Sequence, residues 1–310
     1  MMMTNIMTMM KAKIGEAIQN AALDMMKQVK RIDNGRNHGY ARVSDNKKLA
    51  GVTEVSSAAG YKEAKGWMPA WGGKEAVKCL GYFERFVGET HEEELKKAAD
   101  MLKDFSRMNL EDYLALLHEA KSGHSRKSDK AKETGTDGHE WLETWVKARI
   151  RGKVEPELPE ANEFVIDGLK EFMLWANSEI KEFILSEARV ALPAEPYEYA
   201  GTMDVLAIMK DDKPAVLDFK FADNKSISWP LQLVAYAETF RPYNINVSER
   251  YALRFPKSEF LKEWDKEKAM YKKIPNKFEV IRYNPEYNDF DFKTFMHYRA
   301  ADRWVNAMIK

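Results

Sequence analysis

The sequence predicts an α/β fold: a central mixed β-sheet flanked by helices, preceded by a mostly helical N-terminal portion. Three observations predict it. Helical spacing of apolar residues marks the start of the chain. Strand-like runs follow one another from about 186 to 221, separated by polar turns. Beyond 221, helix-like and strand-like segments alternate, as they do in α/β proteins.

Ile14, Ile18, Ala21, Met25 and Val29 recur at helical spacing and predict an amphipathic helix. The polar stretch RIDNGRNHGYARVSDNKK reads as a loop or a short hairpin, and 51–134 as mostly helical. There Trp67, Trp71, Tyr82, Phe83 and Phe86 interleave with Lys74, Lys78 and Arg85. Such aromatics ordinarily form core; the sharper reading is an arch that stacks on single-stranded bases. Asn109 or a neighbour fits as the cap of helix LEDYLALLHEA. The charged run 121–132 (KSGHSRKSDKAK) holds five Lys or Arg against one Asp. It reads either as a solvated loop or as a phosphate contact through Lys121, Arg126 and Lys127.

Helices are expected over 138–151, with Gly152 as a stop, and over 161–184. YEYAGTMDVLAIM (197–209) and AVLDFKF (215–221) read as a hairpin of strands, with 211–214 as its turn. A helix over 229–240, a strand over 249–255, a helix near 257–274, a strand over 278–283 and a last helix over 292–309 complete the chain. The expected division is 1–134 and 135–310.

The composition is that of a globular protein, with 45% hydrophobic and 32% charged residues in 310. Lys and Arg number 49, Asp and Glu also 49, so the formal net charge is zero. That argues against nucleic-acid binding by overall charge, though not against a local basic groove. Cys79 is the single cysteine, which fits a reducing cytoplasm. No apolar run is long enough to span a membrane, and the methionine-rich start lacks the core of a secretory signal. No G-x-x-x-x-G-K-[ST] loop is present; GGKE at 72–75 lacks the spaced glycine and the hydroxyl, so no ATP chemistry is expected.

The densest chemistry lies in 201–236. Asp204 sits on one strand of the hairpin and Asp218 on the other. Asp218 and Lys220 are two apart, so they project to one face, with Val216 beside them. Ala215, Leu217, Phe219 and Phe221 face the other way. An acid and a lysine inside an apolar strand are costly to bury without partners, and a divalent cation offsets that cost. Oxygen ligands of this kind suit magnesium or manganese. Gln232 and Tyr236 are four apart on the following helix and share a stripe. Each feature alone is ordinary; a D-x-K pair is commonly a surface ion pair. Their order and spacing together are not.

G-T-x-D, L-D-F-K and Q-L-V-A-Y together resemble the RecB-type branch of the PD-(D/E)XK nuclease superfamily, which has a restriction-endonuclease-like core. GTDGHEWLE (135–143) adds the upstream histidine of that branch, SEARV places Glu187 before the first motif strand, and VTEV (52–55) is similar to its opening segment. The resemblance covers roughly 50–240. It implies His139, Asp204, Asp218 and the backbone carbonyl of Phe219 as metal ligands. It implies Lys220 as the group that orients water or offsets phosphate charge, with Gln232 and Tyr236 shaping the site and holding the DNA end. Glu187 is implied as an outer contact or a ligand to a second metal. Aspartate fills the (D/E) position and no proline precedes Asp204. Some relatives bind an iron–sulfur cluster through four cysteines, which one cysteine excludes.

The expected activity is that of a Mg2+- or Mn2+-dependent DNA exonuclease acting on free single- or double-stranded ends, in phage or mobile-element recombination, repair or degradation. A single-strand-binding or annealing protein is the expected partner, and the cytoplasm the expected location. The alternatives are an endonuclease with the same site, or a DNA-binding recombination or packaging partner whose site is vestigial.

Overall fold

The structure is a computed structural model that describes residues 2–34, 37–64, 87–193, 195–268 and 270–308, with no side-chain detail at 2–12, 34, 37, 38, 60–64, 94, 102, 121–136 and 306. The aromatic run from Trp67 to Phe86 and Cys79 lie outside the described residues, as do the side chains of Lys121, Arg126 and Lys127.

Helix α1 (Met2–Gln28) leads into a hairpin of β1 (Val29–Asn34) and β2 (Asn37–Arg42), then β3 (Lys48–Gly51) and α2 (Val52–Ala64). Helices α3 (His91–Arg107), α4 (Leu110–Ile150) and α5 (Glu163–Glu179) follow. Strands β4 (Ile180–Leu192), β5 (Tyr199–Met209) and β6 (Pro214–Phe221) come next, then α6 (Ser228–Glu238) and β7 (Glu249–Phe255). A hairpin of β8 (Phe260–Asp265) and β9 (Met270–Pro275), strand β10 (Glu279–Tyr283) and α7 (Asn288–Met308) end the chain.

The fold is α/β, with a mixed central sheet between helices and a helical N-terminal region, as the sequence predicts. The main sheet runs β1-β2-β3-β5-β6-β7-β10, with β4 also paired to β5. β3 with β5 and β6 with β7 are parallel; the other pairs are antiparallel. The alternation read in β6 is present. Ala215, Leu217 and Phe219 pack with Trp145, Leu169 and Phe172 of α4 and α5. Val216 packs on the opposite side with Ile18, Met25, Val55, Tyr236 and Phe295.

Asn109 caps α4 as expected, its side chain accepting the Asp112 N–H at 2.8 Å. The charged run 121–132 is not a loop: α4, 41 residues long, continues through it, and its Lys, Arg and Ala residues are good helix formers. The expected helix 161–184 ends at Glu179. The Lys210 N–H takes the Glu179 carbonyl at 2.8 Å, and Ile180 turns extended to begin β4.

The expected helix near 257–274 is instead the β8–β9 hairpin. Its Lys- and Glu-rich composition suits a helix, but local bonds favour the turn. Asp265 Oδ1 accepts the N–H groups of Glu267 and Lys268 at 3.0 and 3.1 Å. Across the strands Glu263 faces Lys272, and Trp264 packs edge-on against Tyr271 with centroids 5.0 Å apart.

Candidate functional site

The site forms where the sheet splits. β5 pairs with β6 only over Val205 to Ile208. On the same edge, Tyr199 and Ala200 pair with Ala50 and Gly51 of β3. The GTMD segment, 201–204, therefore borders a gap between two partners. Asp204 and Asp218 are the first residues past the last β5–β6 pair.

Two glycines let neighbours close around this gap. A Cβ on Gly201 would stand 2.6 Å from the Tyr236 ring and 3.1 Å from Val52. A Cβ on Gly138 would stand 2.3 Å from the Phe221 ring. The first glycine seats α6 and α2 against β5; the second seats α4 against β6 and brings His139 to the split.

There Asp204 Oδ2 accepts the Phe219 backbone N–H at 2.7 Å and lies 3.1 Å from His139 Nε2. The other ring nitrogen of His139 is 3.8 Å from Glu187 Oε1. One ligand atom from each of His139, Glu187 and Asp204 lies within 4.8 Å of the other two. All three side chains are partly buried. Glu187 sits mid-strand in β4 with φ of 51°, a left-handed conformation that costs a non-glycine residue energy. The cost falls at the one β4 residue that joins this cluster.

The charges of the cluster disturb one another. Burial disfavours the charged imidazole of His139, but the hydrogen bond and charge of Asp204, helped by Glu187 and Asp218, prevail and raise its pKa to about 9. Burial and then the charge of Asp204 raise the Glu187 carboxyl to about 7. Burial raises Asp218 to about 6, with Asp204 adding to the rise and Lys220 opposing it. The site thus sets three carboxyls against the His139 imidazole and the Lys220 ammonium.

A second set of groups continues from Asp218. Its carboxylate contacts the Lys220 ammonium. Lys220 donates to Gln232 Oε1 at 2.8 Å. Gln232 Nε2 donates to the Tyr236 hydroxyl at 3.2 Å and to Thr53 Oγ1 at 3.4 Å. Asp218 and Tyr236 are each 1% exposed. Burial, with the charge of Asp218, holds the Tyr236 phenol neutral by raising its pKa well above the ordinary value. Asp218 Oδ2 is buried with no donor aligned on it, although it faces the lysine charge.

All of Asp204, Asp218, Lys220, Gln232, Tyr236 and His139 therefore converge on one place. The grouping differs in detail from the expected one. Glu187, expected as an outer contact or a ligand to a second metal, is the third member of the His139–Asp204 cluster. Asp218, expected as a ligand, faces Lys220 and stands outside that cluster. Phe219 meets Asp204 through its N–H. Thr53 was given no role from sequence; its only signal is its place in the VTEV segment at the start of α2. An imidazole with two carboxylates offers donor types that a divalent cation accepts, and Asp218, paired with Lys220, is near enough to act on His139.

No known family model matches the chain, and no curated protein matches it. Among solved structures, one that is similar is the crystal structure of SSO0001, with 10% identity over 42% of this chain and a TM-score of 0.22. The match spans 55% of that protein's length. A likeness of that size carries no argument about fold or function.

Proposed function

We propose that this chain is a metal-dependent DNA nuclease of the RecB-like PD-(D/E)XK type, hydrolysing phosphodiester bonds at free DNA ends in the cytoplasm. The observation that carries the reading is the convergence of His139, Glu187 and Asp204 within 4.8 Å beside the buried Asp218–Lys220 pair. His139, Glu187 and Asp204 would hold Mg2+ or Mn2+, with Asp218 next to them. When bound, such a cation polarises the scissile phosphate and acidifies water.

The chain's own groups do the rest. The Phe219 N–H fixes one oxygen of Asp204 and leaves the carboxylate a defined direction. Lys220 is held between Asp218 and Gln232, so its ammonium is pre-positioned to offset charge developing on a phosphate oxygen. Gln232 is in turn fixed by Tyr236 and Thr53, which keeps its carbonyl oxygen turned to the lysine.

End-labelled linear single- and double-stranded DNA, beside a closed circle, tests the proposal in Mg2+, Mn2+ and EDTA. The expected result is metal-dependent loss of linear DNA alone, reduced about 10²–10³-fold or more in Lys220→Ala, as for other lost charge-stabilising donors. Nicking of the circle moves the activity to an endonuclease. Cleavage left intact in folded Lys220→Ala removes the assignment of the site.

A further inference from the structure

We propose a second binding site, a preformed groove at the C-terminal end of α4 that takes the phosphodiester backbone of the DNA strand leaving the metal cluster. The groove is a cavity of about 360 Å³ lined by Lys147, Arg151, Lys153, Val154 and Pro156 and, on the side toward the cluster, by Glu143, which is paired with Lys147. The inference rests on the nuclease reading of the cluster.

Its position follows from helix geometry. His139, Glu143, Lys147 and Arg151 recur every four residues, so they form one inclined ridge that winds about 120° round α4 between its ends. Glu143 and Lys147 are near enough to the cluster to act on the Glu187 carboxyl. From His139 to Arg151 the ridge runs about 18 Å along the axis at 1.5 Å per residue. That is roughly five nucleotides at the 3.4 Å rise of a stacked strand.

The groove is built, not improvised by a loose loop. The chain after α4 is tied back onto the helix by three contacts. Trp141 Nε1–H donates to the Glu157 carbonyl at 2.6 Å, and Trp145 Nε1–H donates to Glu155 at 2.9 Å. Arg149 donates to the same Glu155 at 2.8 Å. Both tryptophans are buried, so the far wall of the groove is anchored in the core.

Basic residues at a helix C-terminus ordinarily serve the helix itself, by answering its unpaired carbonyls and dipole. Here backbone groups already answer two of those carbonyls. Gly152, with φ of 59°, donates to the Arg149 carbonyl at 3.3 Å, and Lys153 donates its N–H to Ala148 at 2.9 Å. Lys147 is paired with Glu143 and Arg149 with Glu155. Arg151 and Lys153 lie beyond the last turn, are exposed, and have no ion-pair partner among the described residues. Two free cations on a fixed wall, at the far end of the ridge that starts at His139, suit an anion that spans both. A chain of phosphates is such an anion, and a formally neutral protein needs a local cationic track of this kind to hold one.

The test is fluorescence anisotropy of a labelled 12-nucleotide single strand with the full chain in EDTA, over a series of salt concentrations. Arg151→Ala/Lys153→Ala is compared with wild type and with Arg151→Lys. The expected result is an affinity at least tenfold lower in the double variant at unchanged melting temperature, with Arg151→Lys binding as wild type. The salt slope becomes shallower by about 1.4, the value for two single-strand phosphate contacts. Equal affinity and equal slope in the double variant overturn the groove. Inorganic phosphate is titrated at constant ionic strength in parallel. If it displaces the strand at equal molar concentration, the ligand is free phosphate and the strand assignment falls. Loss of binding in the double variant, from a wild type that cuts no DNA in any metal, upholds the groove and removes the nuclease reading. Cleavage by wild type with unchanged binding in the variant does the reverse.

Discussion

His139 and Glu187 of the cluster and the neighbouring Asp218 carry raised pKa values, and all three shift metal-free stability in the same direction. His139 is raised to about 9, so its contribution is complete below its unfolded value near 6.5 and is lost as pH rises through 9. Glu187 and Asp218, raised to about 7 and about 6, favour the folded state when protonated. Their contribution is complete below about 4 and is lost as pH rises through 6 to 7. In EDTA the melting temperature should therefore fall steadily between pH 5 and pH 9. A cation held at the site, as proposed, would replace those protons, so the rise in melting temperature on adding Mn2+ should grow over the same range. Calorimetric scans with and without Mn2+ check this; a metal-induced shift that is flat with pH overturns the ligand assignment. In Glu187→Gln one raised carboxyl is gone, so the EDTA curve should flatten near pH 7 while Mn2+ affinity drops by tenfold or more.

At the scale of elements, the glycines decide whether α4 and α6 reach the split sheet. Gly138→Ala places a methyl 2.3 Å from Phe221 Cζ, and Phe221 stacks on Phe255 with centroids 4.8 Å apart, so the ring has little room to retreat. The expected cost is about 1–3 kcal/mol, as for other overpacked sites. Because His139 is the next residue, Mn2+ affinity should fall as well. Thermal melting and metal titration of Gly138→Ala measure both; a variant with wild-type values for each would show that α4 can seat elsewhere. The same scale shows what the sequence reveals. β5, β6 and α6 are legible because alternation, a polar turn and Pro230 in a first turn are local signals. The hairpin β8–β9 is not, because Trp264 against Tyr271 and the turn at Asp265 outweigh a helix-like composition. The acids, Lys220, Gln232, Tyr236 and His139 are legible by type and order. The rank of Glu187 is not, since a left-handed φ inside a strand leaves no local mark. Thr53 meets Gln232 across 179 positions, a contact that only the fold supplies.

Over the whole molecule, the cluster depends on the layer that backs strand β4. Strand β4 carries Glu187 toward the split and shows Ile184, Ala188 and Val190 to the other core layer. Ile18, Ala21 and Met25 of α1 cover that layer. The Met25 sulfur accepts the Ala191 N–H at 3.4 Å, and Asp24 accepts from the Tyr243 hydroxyl at 2.7 Å. The N-terminal helix is thus the backing of the strand that holds Glu187. Burying each large side chain contributes about 1.5–3 kcal/mol, against a total stability of about 5–15 kcal/mol for a folded domain. Losing the helix would consume much of that margin, whereas one truncation within it should be survivable. Met25→Ala is expected to cost about 2–5 kcal/mol, the range for a buried methionine. Its Mn2+ affinity should stay within a few fold of wild type at temperatures where it is folded, because every ligand remains in place. Denaturant unfolding beside metal titration separates the two effects. A loss of metal affinity as large as that of Glu187→Gln, in a folded Met25→Ala, would mean that α1 sets the geometry of Glu187 itself and does more than cover the sheet.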